Sequence, residues 1–173
     1  MLTILGIDPG SIKTGYGIIR FNGTKAEYVA SGLIRLPSGP LPPRLKLIFD
    51  NVSQLIEQYQ PDQMSVEEVF FARDPRAALK LGQARGAAIV AGVNAGVVVA
   101  EYSAKSIKQS VVGNGNAVKE QVQHMVKYLL KLPSTPAEDA ADALAAALCH
   151  AHSLQIQAKT GGTTRYAKGR IKS

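Results

Sequence analysis

Apolar and polar positions alternate along the chain in short β-type runs and recur in longer helical ones. Residues 3–8 are apolar and β-branched, Pro9-Gly10-Ser11 interrupts them, and residues 15–19 open a second run. A third run covers 28–36, so the first three elements predict an antiparallel meander. After the proline-bearing loop 37–43, residues 44–59 place Leu45, Ile48, Val52, Leu55, Ile56 and Tyr59 on one helical face, and Pro61 ends the helix. Residues 63–70 predict a strand, and Asp74-Pro75 supplies a cap and first turn for a helix over 76–94. A fifth strand is expected over 96–102, followed by a short helix from Ser103 to Ser110 and the glycine-rich connection Gly113-Asn114-Gly115-Asn116. Two more helices are expected, over 118–130 and 137–155, separated by the segment 133–136. A meander followed by α-β-α-β-α-α-α predicts an α/β fold with a mixed five-stranded sheet and helices on both faces. One domain is expected over 1–156, with a basic tail over 157–173.

Composition narrows the class. The single cysteine, Cys149, has no partner for an intrachain disulfide. No apolar run reaches the roughly 18–20 residues that span a bilayer, and the opening residues lack the basic start of a signal peptide. The expectation is a cytoplasmic protein without membrane association. With 20 basic and 13 acidic side chains the formal charge is +7, and Lys159, Arg165, Lys168, Arg170 and Lys172 put five of those charges after the last acidic residue, Asp142. Such a balance points to a polyanionic partner.

Carboxylates stand where an apolar pattern leads one to expect none. Asp8 ends the first strand on the same face as Ile4 and Gly6. It can bond its own turn backbone, or it can face a metal. Glu67 and Glu68 interrupt the apolar run 64–71, and spacing alone does not choose between them. Glu67 shares its face with the small Ser65, as Asp8 does with Gly6, and small neighbours leave room above the sheet for ions and substrate. Asp139 and Asp142 are three apart on a helix and so share one face, among alanines that permit close approach to a sheet. Together these acids have the oxygen chemistry of a Mg²⁺ site. Cys149, His150 and His152 lack the further ligands a zinc site needs.

Four segments carry a resemblance. Leu5-Gly6-Ile7-Asp8-Pro9-Gly10-Ser11 with Thr14-Gly15-Tyr16-Gly17, then Val66-Glu67-Glu68-Val69-Phe70, then 78–86, then Asp139-Ala140-Ala141-Asp142-Ala143-Leu144-Ala145 resemble the RuvC family of Holliday junction resolvases. They occur in that family's order and spacing, and the likeness runs to about His152. The resemblance implies a ribonuclease-H-like fold and a homodimer that nicks two opposed strands of a four-way DNA junction. It matches Glu67 rather than Glu68 to the family's acidic strand residue, and it implies two Mg²⁺ ions, replaceable by Mn²⁺, on Asp8, Glu67, Asp139 and Asp142. It also implies RuvA and RuvB, the branch-migration proteins, as partners.

For DNA, the resemblance matches Phe70 to a ring that stacks on bases at the junction and puts Lys108 and Lys119 against backbone phosphates beside the active site. Arg76, Lys80 and Arg85 are further phosphate candidates. Ala78, Gly82 and Gly86 form a small-residue row that suits close helix packing, and the resemblance assigns this region to the dimer contact. The rival readings are a non-catalytic junction-binding module and a ribonuclease H acting on RNA–DNA hybrids. An actin-like ATPase needs two related lobes, which 173 residues do not accommodate.

Overall fold

A computed structural model describes residues 1–69 and 74–160. Five strands form one sheet: β1 (Leu2–Asp8), β2 (Lys13–Phe21), β3 (Ala26–Arg35), β4 (Gln63–Glu67) and β5 (Val98–Tyr102). Their order is β3-β2-β1-β4-β5. The pairs β1–β2 and β2–β3 are antiparallel, whereas β1–β4 and β4–β5 are parallel. The meander and the mixed five-stranded sheet are therefore as the pattern predicts. β4 stops at Glu67, short of the expected residue 70. Its neighbours β1 and β5 end at Asp8 and Tyr102 in nearly the same register, so the ladder has no partners further on.

Helices cover both faces. On one side lie α1 (Leu41–Tyr59) and α2 (Pro75–Asn94), packed on Leu5, Ile7, Ile18, Ile34, Met64 and Val66. On the other lie α3 (Ala104–Val112), α4 (Lys119–Leu129) and α5 (Glu138–Thr160), packed with Ile4, Ile19 and Phe21. Strand alternation produces this division: adjacent residues such as Ile4 and Leu5 belong to different cores. α1 begins at Leu41, ahead of the expected residue 44, because prolines are tolerated in a first turn whose N–H groups have no helical partner. The predicted caps hold: Asp74 accepts from Arg76 N–H at 2.9 Å, and Ser103 accepts from Ser106 N–H at 3.1 Å. α5 continues to Thr160, beyond the expected residue 155.

α5 sits unusually close to the sheet. A Cβ added at Gly6 would lie 2.0 Å from the Ala143 carbonyl oxygen, and one at Gly15 would lie 2.0 Å from that of Asp139. A Cβ at Gly17 would meet the Leu144 side chain at 2.7 Å. Gly6 and Gly17 are register partners, as are Asp8 and Gly15, so these glycines form a shallow channel across β1 and β2. On β4, the Ser65 hydroxyl donates to the Ala146 carbonyl at 2.8 Å. This corrects one expectation: the space above Gly6 and Ser65 holds the backbone of α5, not ions or substrate. The alanines from 140 to 151 let the helix settle there with its side chains buried.

Candidate active site

The carboxyl ends of β1 and β4 and the amino end of α5 meet at one edge of the sheet. Asp8 ends β1, and Glu67 ends the parallel neighbour, one step past the Ile7–Val66 register pair. Glu67 points to the α5 face and is half-buried, whereas Glu68 is exposed and its N–H is used by the Tyr102 carbonyl at 2.8 Å. The structure thus makes the choice between the two glutamates that spacing leaves open. The glycine channel brings the opening turns of α5, with Asp139 and Asp142, down beside them.

The electrostatics of these acids are coupled. The Asp8 carboxyl is pushed up to about 8, first by burial and then by the charges of Asp142, Glu67 and Asp139, with Lys119 opposing. Asp142 is pushed up to about 6 by burial and Glu138, with Lys119 and Lys108 among the opposing charges. Glu67 is raised by burial and Asp142, with Lys108 pulling the other way. Half-buried acids crowded by like charges are stabilised when a cation enters between them.

Glu67, Asp142, Lys108 and Lys119 line one cleft of about 140 Å³ with Ala104, Ile107 and Val122. Asp8, Pro9, Glu67, Glu68, Val69 and Leu81 line a second, of about 120 Å³. Glu67 belongs to both, so it stands between two small openings on the same carboxylate group. The larger clefts, of about 560 and 590 Å³, lie around the far end of α4 and contain none of the four acids.

Metal fit follows from the donor set. The side chains that meet here offer anionic oxygen, the donor that hard divalent cations prefer, and no sulfur. Among the described residues, no three His, Cys, Asp or Glu side chains form a finished metal cage. Asp139 is turned to an ion pair with Lys13, and Glu138 to one with Lys119. The histidines are engaged elsewhere. His150 is buried between the Tyr102 hydroxyl, at 2.8 Å, and the Gln63 side chain, and burial pushes it down to about 4. His152 bonds the Ser110 hydroxyl at 3.0 Å.

The remaining sequence candidates are distributed as follows. Lys108 is half-buried on α3 facing the acids, and Lys119 opens α4 beside them. Arg76 and Lys80 are exposed in the opening turns of α2. Arg85 is engaged within the protein: its Nε donates to the Glu67 carbonyl at 2.9 Å, and its guanidinium pairs with Glu101. Phe70 lies outside the described residues. Two roles escaped the sequence reading. Arg85 fixes the backbone that carries Glu67, and Lys13 pairs with Asp139. The second was legible in principle, since Lys13 shares a strand face with Gly15 and Gly17, the glycines on which α5 rests.

This sheet order, with acids at the carboxyl ends of two adjacent parallel strands and on the crossing helix, defines a ribonuclease-H-like nuclease fold. Residues 4–150 match the family model described as crossover junction endodeoxyribonuclease RuvC. The chain therefore belongs to the RuvC family of crossover junction endodeoxyribonucleases, enzymes that hydrolyse DNA strands. A relative of that description from Pseudoalteromonas atlantica is 60% identical over 99% of this chain and 100% of its own. Another, from Aeromonas hydrophila, is 59% identical with the same coverage. Among solved structures, Thermus thermophilus RuvC in complex with a Holliday junction substrate superposes with a TM-score of 0.85 at 36% identity, covering 90% of this chain and 96% of that one. The yeast mitochondrial Holliday junction resolvase Ydc2, at 15% identity and TM-score 0.66 over 91% of this chain and 82% of its own, shares the fold. No described helix is long and apolar enough to cross a membrane.

Proposed function

We propose that this chain resolves Holliday junctions by paired symmetric nicks in DNA recombination and repair, with Asp8, Glu67, Asp139 and Asp142 as the catalytic carboxylates. The observation that carries this reading is the gathering of Asp8, Glu67 and Asp142 at one sheet edge beside Lys108 and Lys119, where burial and the charge of Asp142 raise both Asp8 and Glu67. The four acids would hold two Mg²⁺ ions, replaceable by Mn²⁺. Bound there, divalent cations supply Lewis-acid activation of a water and charge neutralisation at the scissile phosphate.

The protein's own groups do the rest. Lys108 and Lys119 take the flanking phosphates and keep the cut strand over the acids. Arg76 and Lys80 extend the basic surface along α2, and Phe70 stacks on an unpaired base at the crossover. Arg85, with its Nε on the Glu67 carbonyl, holds Glu67 in register rather than meeting a phosphate.

Two nicks need two sites, and a homodimer through α2 supplies them. A Cβ at Gly82 or at Gly86 would meet nothing within 4 Å, and Leu79, Val90 and Val93 are 68%, 57% and 62% exposed. This apolar face with small residues points away from the sheet, which takes Ala84, Ala88 and Ala91 instead. The protein acts in the cytoplasm with RuvA and RuvB as its branch-migration partners.

The deciding experiment is incubation with a synthetic mobile four-way junction and Mg²⁺, beside linear duplex and RNA–DNA hybrid. Symmetric paired nicks confined to the junction are expected. Cutting of the hybrid alone would make it a ribonuclease H, and junction binding without nicks in Mg²⁺ or Mn²⁺ would make it a binding module.

A further inference from the structure

Two lysine–carboxylate pairs hold the first turn of α5: Lys13 with Asp139, and Lys119 with Glu138. They are not equivalent. Glu138 is outside the acidic group assigned to the metals, so Lys119 occupies nothing the reaction needs. Lys13 pairs with one of the four acids themselves.

The backbone around Lys13 is held firmly. A Cβ at Gly10 would lie 2.0 Å from the Lys13 carbonyl oxygen, so the turn and the start of β2 are packed backbone to backbone. The Gly10 N–H reaches the Thr14 hydroxyl at 3.3 Å, and the Leu36 N–H reaches the Ile12 carbonyl at 2.9 Å. The Lys13 side chain, by contrast, is 46% exposed, against 19% for Asp139. A flexible ammonium on a fixed root can therefore reach either the acid or the solvent above it. A partly exposed pair of this kind is weak, and a divalent cation at the same carboxylate outcompetes it.

We propose that Lys13 is an exchangeable counter-cation: its ammonium neutralises Asp139 until a divalent metal takes that carboxylate, and is then released to a DNA backbone phosphate. The consequence is coupling. Metal on Asp139 frees a phosphate ligand, so metal and DNA favour each other through one side chain. The idea rests on the assignment of Asp139 as a metal ligand.

The test is a double-mutant cycle on junction binding without metal, using the full dimer and a synthetic four-way junction in EDTA. Asp139→Asn removes the acid and releases Lys13. If Lys13 then takes a phosphate, Asp139→Asn should tighten binding about fivefold more with Lys13 in place than in the Lys13→Gln background. The slope of log K against log salt should steepen by about one only when Lys13 is present. Equal gains in both backgrounds mean a simple charge effect and overturn the exchange. Calorimetric titration of Mn²⁺ into DNA-free protein supplies the second arm. Lys13→Gln should raise Mn²⁺ affinity about two- to fivefold through loss of the competing cation. Unchanged affinity overturns the proposal while leaving the site intact, provided Asp139→Asn still weakens Mn²⁺ binding. If Asp139→Asn leaves Mn²⁺ binding untouched, the assignment of Asp139 itself fails. A thermal melt of each variant confirms that an exposed lysine was changed without loss of fold.

Discussion

Replacing Asp8 with asparagine should stabilise the metal-free protein at neutral pH while ending cleavage. The folded structure pushes the Asp8 carboxyl from 3.8 to about 8, mainly through burial and then through Asp142, Glu67 and Asp139. Between those two values the folded protein keeps a proton that the unfolded chain has released. The unfolded state therefore binds fewer protons, and stability falls as pH rises through this window, by up to about 1.4 kcal/mol per pH unit. From about pH 5 to about pH 7 that is roughly 2–3 kcal/mol from Asp8 alone, or about 5–10 °C in a chain of this size. Asp142, raised to about 6, adds its own slope at the acidic end, but it does so in both proteins. The difference between wild type and Asp8→Asn thus isolates Asp8. An amide of the same shape carries no charge to bury, so the variant should lose this part of the pH dependence. The assay is urea unfolding in EDTA at several pH values, beside junction binding and cleavage in Mg²⁺. Cleavage should vanish while junction binding persists, since the basic surface is untouched. A variant with the wild-type pH slope would show that Asp8 is not held protonated by its surroundings. A variant that still cuts would remove Asp8 from the site.

Divalent metal affinity should rise with pH up to about 8, because the cation binds the ionised form of Asp8; a pH-independent affinity measured by calorimetry would contradict this. Gly15→Ala drives a Cβ to 2.0 Å from the Asp139 carbonyl oxygen. It should cost about 1–3 kcal/mol in urea unfolding and reduce cleavage further by lifting the acids on α5, unless β2 and α5 separate without penalty. Lys108→Ala should weaken binding to all junction sequences alike and lower the salt slope by about one, whereas an altered base preference at constant slope would refute the phosphate role. Val93→Glu places a charge on the exposed apolar face of α2 and should yield folded monomers by sedimentation that still bind a junction but do not make paired nicks. An intact dimer would move the interface elsewhere.

Much of this was written locally. The apolar alternation of β1 to β3, the stripe of α1 and the caps Asp74 and Ser103 act over a few residues, so their elements follow from neighbours in sequence. The four acids stand out for the same reason: each breaks an apolar or alanine-rich context, and the family segments around them have fixed spacing. What the chain could not state one-dimensionally was which glycines are spacers. Gly6, Gly15 and Gly17 read as turn or strand residues until α5 is laid across them, and only then is the height of Asp139 and Asp142 above Asp8 set. The choice of Glu67 over Glu68 by geometry likewise waits on the sheet, because a strand's two faces are equivalent until one is covered. Ion pairs between distant segments, Lys13 with Asp139 and Arg85 with Glu101, depend on packing that no local pattern encodes. Sequence determined the chemistry present and the elements that carry it. Tertiary structure decided their separation, because electrostatic coupling and metal affinity depend on distances set by how closely a helix can approach a sheet.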